Sequence, residues 1–101
     1  MNSNDEQPKL NISPDAPPVN VPTFGCVVYV SPHDQGVQAR CANLADLSFV
    51  GATERDALSQ MVPAFKKRIA DCMQRGEDIA WIDPPATIDS NEQKRFIPVH
   101  L

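Results

Sequence analysis

The sequence has few of the features that mark membrane, secreted or nucleic-acid-binding proteins. No apolar run approaches the roughly 20 residues of a membrane-spanning helix, and the first seven residues are polar and acidic. The three cysteines are odd in number and lack Cys-x-x-Cys spacing, which argues against a disulfide framework and a zinc site. The net charge of −4 is unfavourable for a protein that mainly neutralises phosphates. These absences predict a protein of the reducing cytoplasm with no membrane segment.

No pattern of chemically reactive residues indicates catalysis. The acidic residues that could hold metal ions fall in predicted loops: Asp34, Asp46, Asp83 and Asp89. The two histidines, His33 and His100, have no partner at metal-ligand spacing. The cysteines fall on apolar faces of predicted elements, as buried small side chains do: Cys26, Cys41 and Cys72. We therefore expect no enzyme activity, no metal site and no cofactor.

The amino-terminal segment differs in composition from the rest of the chain. Five of the ten prolines lie in the first 23 residues, among Asn, Ser and Asp. Such a segment buries too little apolar surface to offset the entropy lost on ordering. The sequence predicts a disordered proline-rich tail at residues 1–23 and a single domain at residues 24–101.

Three short segments at the start of that domain have the composition of β-strands. Residues 26–30 and 37–42 flank a turn, and a turn centred on Asp34-Gln35 predicts a hairpin with one buried face. That face would contain Cys26, Val28, Val30, Ala39 and Cys41. A third strand over residues 47–50 would end at Gly51. The pattern is typical of an antiparallel meander.

A long amphipathic helix is predicted after the third strand. Thr53 begins a capping-box pattern, and Gly76 is suited to the carboxyl end. Apolar residues recur at helical spacing between these points: Ala57, Leu58, Met61, Val62, Phe65, Ile69, Cys72 and Met73. Because this spacing continues in phase past Pro63, we expect one bent helix packed on the sheet.

The carboxyl-terminal residues predict one more strand, over residues 95–101, with Phe96 or Ile97 facing inward. Pro98 has no N–H to donate, so the strand should lie at an edge of the sheet or be restricted in which of its sides can pair. Trp81 and Ile82, which precede a Pro-Pro pair, should pack on the edge of the domain. The predicted fold is α+β, a small antiparallel sheet in β-β-β-α-β order with one long helix on one face.

Five short motifs, in order along residues 24–101, resemble the HicB-like family, the antitoxin half of bacterial toxin–antitoxin pairs. They are DQGV at 34–37, NL at 43–44, GATERDAL at 51–58, RGEDI at 75–79 and FIPV at 96–99. The resemblance implies a partial ribonuclease H-like fold.

Val37 stands where the family commonly has an aromatic residue, and Ala45-Asp46 replaces its usual Pro-Gly pair. Family members usually continue into a DNA-binding segment, whereas this sequence ends at Leu101, so we do not expect DNA binding.

The resemblance implies a non-enzymatic protein-binding domain. Its partner would be a small basic RNA-cleaving toxin, or the chain would be an orphan interaction module with another partner. We also expect a homodimer formed through exposed sheet edges. The alternative is weak RNA binding by a basic face of the helix, which would contain Arg55, Lys66, Lys67, Arg68 and Arg75.

Overall fold

The computed structural model describes residues 22–101 and confirms the predicted α+β fold and the order of its elements. The elements are β1 (Thr23–His33), β2 (Gly36–Cys41), β3 (Ser48–Gly51), α1 (Glu54–Arg75) and β4 (Gln93–His100). The four strands form one antiparallel sheet in the order β3-β2-β1-β4. The placement of β4 at an edge agrees with the prediction from Pro98.

Most of the predicted tail, residues 1–21, lies outside the described residues. The last two residues of that predicted tail, Pro22 and Thr23, are described, and both contact the carboxyl end of the chain. Thr23 pairs with His100, and the Leu101 N–H donates to the Pro22 carbonyl over 3.1 Å. The sheet therefore includes Thr23, the last residue of the predicted tail.

The first hairpin has the predicted turn, with His33 paired to Gly36 around Asp34 and Gln35. Gly36 has a φ of 132°, which residues with a side chain rarely adopt. A Cβ atom at this position would also lie 2.2 Å from the Gly51 carbonyl oxygen. The predicted buried face is confirmed, since its five residues are all buried beneath the helix: Cys26, Val28, Val30, Ala39 and Cys41.

The helix begins and ends as predicted. The Thr53 hydroxyl accepts the Asp56 N–H over 3.1 Å, and Gly76 takes the left-handed conformation after the last turn. The helix continues through Pro63. Its buried residues are Ala57, Met61, Phe65, Ile69 and Cys72. Met73 was predicted among the apolar residues that pack on the sheet, and this was wrong. Met73 is rotated by about 100° from the buried Cys72 and is 52% exposed.

An irregular segment, which we call the strap (residues 80–92), covers part of the other face of the sheet. The Ala86 N–H donates to the Ala42 carbonyl over 2.9 Å, and the Tyr29 hydroxyl donates to the Ala86 carbonyl over 2.8 Å. The Arg40 guanidinium lies 5.2 Å from the centre of the Tyr29 ring and binds Glu92 through two hydrogen bonds. The strap thus buries the middle of the face opposite α1.

Trp81, at the start of the strap, lies at the edge of the domain as predicted. Its ring is stacked on Phe24 at a centroid distance of 5.8 Å and lies 6.1 Å from the Phe65 ring. Among the described residues, no helix is long and apolar enough to cross a membrane.

Candidate interaction surface

The outer edge of β4 is the longest unpaired strand edge among the described residues. β4 has eight residues and pairs only with β1, whereas the other edge strand, β3, has four. The helix also satisfies part of the β3 edge, since the Gln60 side chain donates to the Val50 carbonyl over 3.1 Å. An unpaired strand edge presents peptide groups that can pair with another strand.

Hydrogen bonds at the ends of the strands determine which β4 peptide groups face outward. The Ala42 N–H donates to the Val27 carbonyl, so Val27 directs its peptide groups towards β2 and away from β4. Its β4 partner, Phe96, must then direct its own N–H and C=O away from β1. Alternation places the peptide groups of every second residue outward: Lys94, Phe96, Pro98 and His100.

At two of these outward positions, one peptide group is not free to pair with another strand. Pro98 has no N–H, so one outward donor is missing. The Lys94 carbonyl accepts a hydrogen bond of 3.1 Å from Nη1 of Arg95. The Phe96 N–H and C=O lie between these two positions, and the edge consequently retains a complete donor and acceptor pair at its centre.

Apolar side chains flank the edge on both faces of the sheet. On the strap face, Phe96 is 64% exposed, and its ring lies so close to Gly25 that a Cβ there would be 2.6 Å from the ring. On the helix face, Leu58 and Val62 are half-buried. We call these three residues and the outer edge of β4 the β4-edge surface.

A salt bridge links the helix to β4 beside this surface. Arg95 donates from Nε and Nη2 to the two carboxylate oxygens of Glu54, over 2.9 and 3.1 Å. These bonds lower the pKa of Glu54 and raise that of Arg95. Since Leu58 and Val62 follow Glu54 at intervals of four, they lie on the same side of the helix as Glu54.

The five predicted basic residues do not form one continuous face in the structure. Lys66, Lys67 and Arg68 are consecutive, so their side chains leave the helix about 100° apart. Arg68 is half-buried and donates to the Ala45 carbonyl over 2.9 Å. Arg68 therefore lies towards the loop before β3.

Two of the other predicted basic residues are neutralised by acidic neighbours. Lys67 pairs with Asp71 at 2.8 Å, and Arg75 pairs with Glu77 at 3.0 Å. The pKa of Asp71 is lowered, chiefly by its hydrogen bond from Lys67. Arg55 and Lys66 are exposed and lie three turns apart along the helix. Of the five predicted basic residues, Arg55 lies beside Leu58 and Val62 on the helix.

The predicted cysteine positions are confirmed, since all three thiols are free and buried. The Cys41 thiol donates to Oδ1 of Asn43 over 3.3 Å, and the neighbouring Cys41 side chain together with burial raises the pKa of Cys26. The contact between the two thiols lowers the pKa of Cys41 to about 7, assisted by the backbone N–H groups of Asn43 and Leu44. Within residues 22–101, no three His, Cys, Asp or Glu side chains are grouped closely enough to hold a metal ion.

Comparisons with protein-family models, curated proteins and solved structures gave no match to this chain.

Sequence reasoning placed β4 at an edge but did not identify Phe96 as an exposed residue. The alternative that Ile97 faces inward is confirmed, because Ile97 packs against the core. The alternation of side chains along β4 could have indicated this orientation. Ile97 and Val99 lie on the same face of the strand, and Val99 is buried. The hydrogen bond from Arg95 to the Lys94 carbonyl had no signal in the sequence.

Proposed function

We propose that this chain is a non-catalytic protein-binding domain, and that it binds by adding a strand to the β4-edge surface. The observation that carries this proposal is the outward-facing Phe96 peptide group beside a phenyl ring that is 64% exposed. Backbone hydrogen bonds would give affinity, and the apolar side chains on either face would give specificity. A single exposed aromatic residue is ordinary on a protein surface, but here it coincides with an unpaired strand edge.

The HicB-like resemblance adds an expectation about the partner. It implies a small basic RNA-cleaving toxin, and the net charge of −4 is complementary to a basic protein. An orphan module would use the same surface for a different protein. Either partner needs an extended segment that can pair with β4.

The RNA-binding alternative receives less support from the arrangement of charges. Of its five residues, Arg68 binds a backbone carbonyl, and Lys67 and Arg75 are paired with acidic side chains. Arg55 and Lys66 alone present too few cations for strong phosphate binding. Binding to mixed-sequence RNA at about 150 mM salt would restore this alternative if it were lost on changing Lys66, Lys67 and Arg68 to Glu.

The proposed function is tested by affinity capture from nuclease-treated extract of the native cell, with intact-mass identification of the retained proteins. Phe96→Lys places a charge on the β4-edge surface, and Ile88→Lys is the matched control on the strap, since Ile88 is 44% exposed. We expect a stoichiometric protein partner that Phe96→Lys loses and Ile88→Lys retains. A partner retained equally by both variants would contradict binding at β4.

A further inference from the structure

The unpaired groups of β4 are complementary to those of another β4. We propose that a second copy of this chain covers the β4 edge, with its β4 antiparallel to the first about a two-fold axis at Phe96. This inference rests on the proposed function, because it names the occupant of the same surface. Two observations carry the inference. Pro98 has no N–H to donate, and the Lys94 carbonyl already accepts a hydrogen bond from Arg95.

In this register, the two Phe96 residues face each other and exchange both N–H···O=C bonds. Lys94 of one copy lies opposite Pro98 of the other, two residues from the axis on each side. The Lys94 N–H can donate to the Pro98 carbonyl, but Pro98 has no N–H to return. The Lys94 carbonyl therefore receives no hydrogen bond from Pro98 of the other copy. It already accepts one from the Arg95 side chain of its own chain. Pairing therefore leaves no peptide group of residues 94–98 without a partner.

The other two-fold registers near the centre of β4 are less favourable. An axis at Lys94 or at Arg95 places like charges directly opposite each other. An axis at Pro98 brings together two residues that have no N–H to exchange. An axis at Ile97 sets the Phe96 carbonyl opposite Pro98, where it would be left without a donor.

The side chains also fit the register with its axis at Phe96. The two Phe96 rings lie opposite each other on the strap face, where each is exposed in the single chain. Arg95 faces Ile97 of the other copy, so no cation faces a cation. On the helix face, Leu58 and Val62 of both copies border the new pairing. The product is a continuous eight-stranded sheet with both helices on one face.

The first experiment measures molar mass by sedimentation equilibrium over a wide range of protein concentration. We expect the mass to rise from the 11.1 kDa of one chain to twice that value. Phe96→Lys places two ammonium groups at the axis and should abolish the rise, whereas Ile88→Lys should leave it unchanged. A dimer that persists in Phe96→Lys would overturn the proposed axis.

A second experiment tests the register by cross-linking. Phe96→Cys brings two thiols to a pair whose Cα atoms are about 5.5 Å apart, within the reach of a disulfide. Lys94→Cys is the matched control, since four residues separate position 94 from its copy along the strand, about 14 Å. With oxidised glutathione, we expect a covalent dimer only for Phe96→Cys. Equal cross-linking of both variants would overturn the register.

The two proposals fail in distinguishable ways. A chain that stays monomeric at all concentrations, yet captures another protein in a Phe96-dependent manner, overturns the second copy and leaves the proposed function standing. A chain that stays monomeric and captures nothing through Phe96 overturns both.

Discussion

The side-chain amide of Asn43 takes the place of a peptide group opposite Val27. Its Oδ1 atom accepts the Val27 N–H over 3.0 Å, and its Nδ2 atom donates to the Gly25 carbonyl over 2.8 Å. β2 ends at Cys41, so without Asn43 these groups of β1 would have no partner from the neighbouring strand. Asn43 thereby supplies the hydrogen-bond partners of two β1 peptide groups beyond the end of β2.

Asn43→Ala should destabilise the domain substantially. Each part-buried peptide group left without a partner costs about 1–3 kcal/mol, and the substitution removes the partner of two. The free energy of unfolding, measured by urea denaturation, should fall accordingly. Asn91→Ala, at an exposed position outside β4, is the matched control and should change stability little. Equal stability of the two variants would show that the Asn43 bonds contribute nothing.

The bond between Arg40 and Glu92 should make stability depend on pH. The Glu92 side chain is only 6% exposed, and its pKa is lowered chiefly by the hydrogen bonds from Arg40. Because the folded pKa lies below the unfolded value of about 4.3, the stabilisation is present above that pH and is lost as the pH falls through the folded pKa.

Glu92→Gln should therefore destabilise the protein at pH 7, by about 1–3 kcal/mol for the lost charge-assisted bonds, and this difference should shrink as the pH falls through the folded pKa of Glu92. Thermal unfolding at a series of pH values measures this difference. Asp78→Asn, at an exposed position before the strap, serves as the control for loss of one negative charge. A Glu92→Gln effect that stays constant down to the pH at which the unsubstituted protein unfolds in acid would contradict the assignment.

Trp81 should anchor the start of the strap. Its contacts with Phe24 and Phe65 are aromatic pairs, each worth about 0.5–1.5 kcal/mol beyond area burial, so Trp81→Ala should lower stability by at least one such increment. Trp81→Phe should retain most of the stability that these aromatic contacts contribute. If hydrogen exchange of the Ala86 amide were unchanged in Trp81→Ala, the strap would be held independently of Trp81.

The buried thiols should report local opening of the sheet. Cys26 is 0% exposed, and Cys41 and Cys72 are each 7% exposed, so a thiol reagent should react only when the structure opens. Asn43→Ala should accelerate modification of Cys26 and Cys41 more than that of Cys72, which lies on the helix. Mass spectrometry of digests measures the modification rate of each cysteine, and a greater acceleration at Cys72 than at Cys26 and Cys41 would contradict this prediction.

Local patterns were sufficient to predict the elements and their order. The cap at Thr53, the glycine after Arg75 and the alternation around the Asp34-Gln35 turn are each encoded within a few residues. The strap was not predictable in the same way. Its contacts join residues far apart in sequence, such as Tyr29 with Ala86, and no periodicity marks them.

The β4-edge surface was predictable only in part. Pro98 indicated an edge strand, because its missing N–H excludes it from a central one. The exposure of Phe96 depends on the face that the strap leaves uncovered, and the bond from Arg95 to the Lys94 carbonyl depends on the rotamer set by Glu54. These features arise from packing rather than from local sequence.

Amide hydrogen exchange of β4, followed residue by residue at low and high protein concentration, tests the central claim most directly. The Ile97 N–H faces β1 and should be protected at both concentrations. The Phe96 N–H faces outward and should exchange freely in the single chain but become protected at high concentration, together with the Lys94 N–H. Free exchange of the Phe96 amide at every concentration, with Ile97 protected throughout, would show that no second copy pairs with this edge.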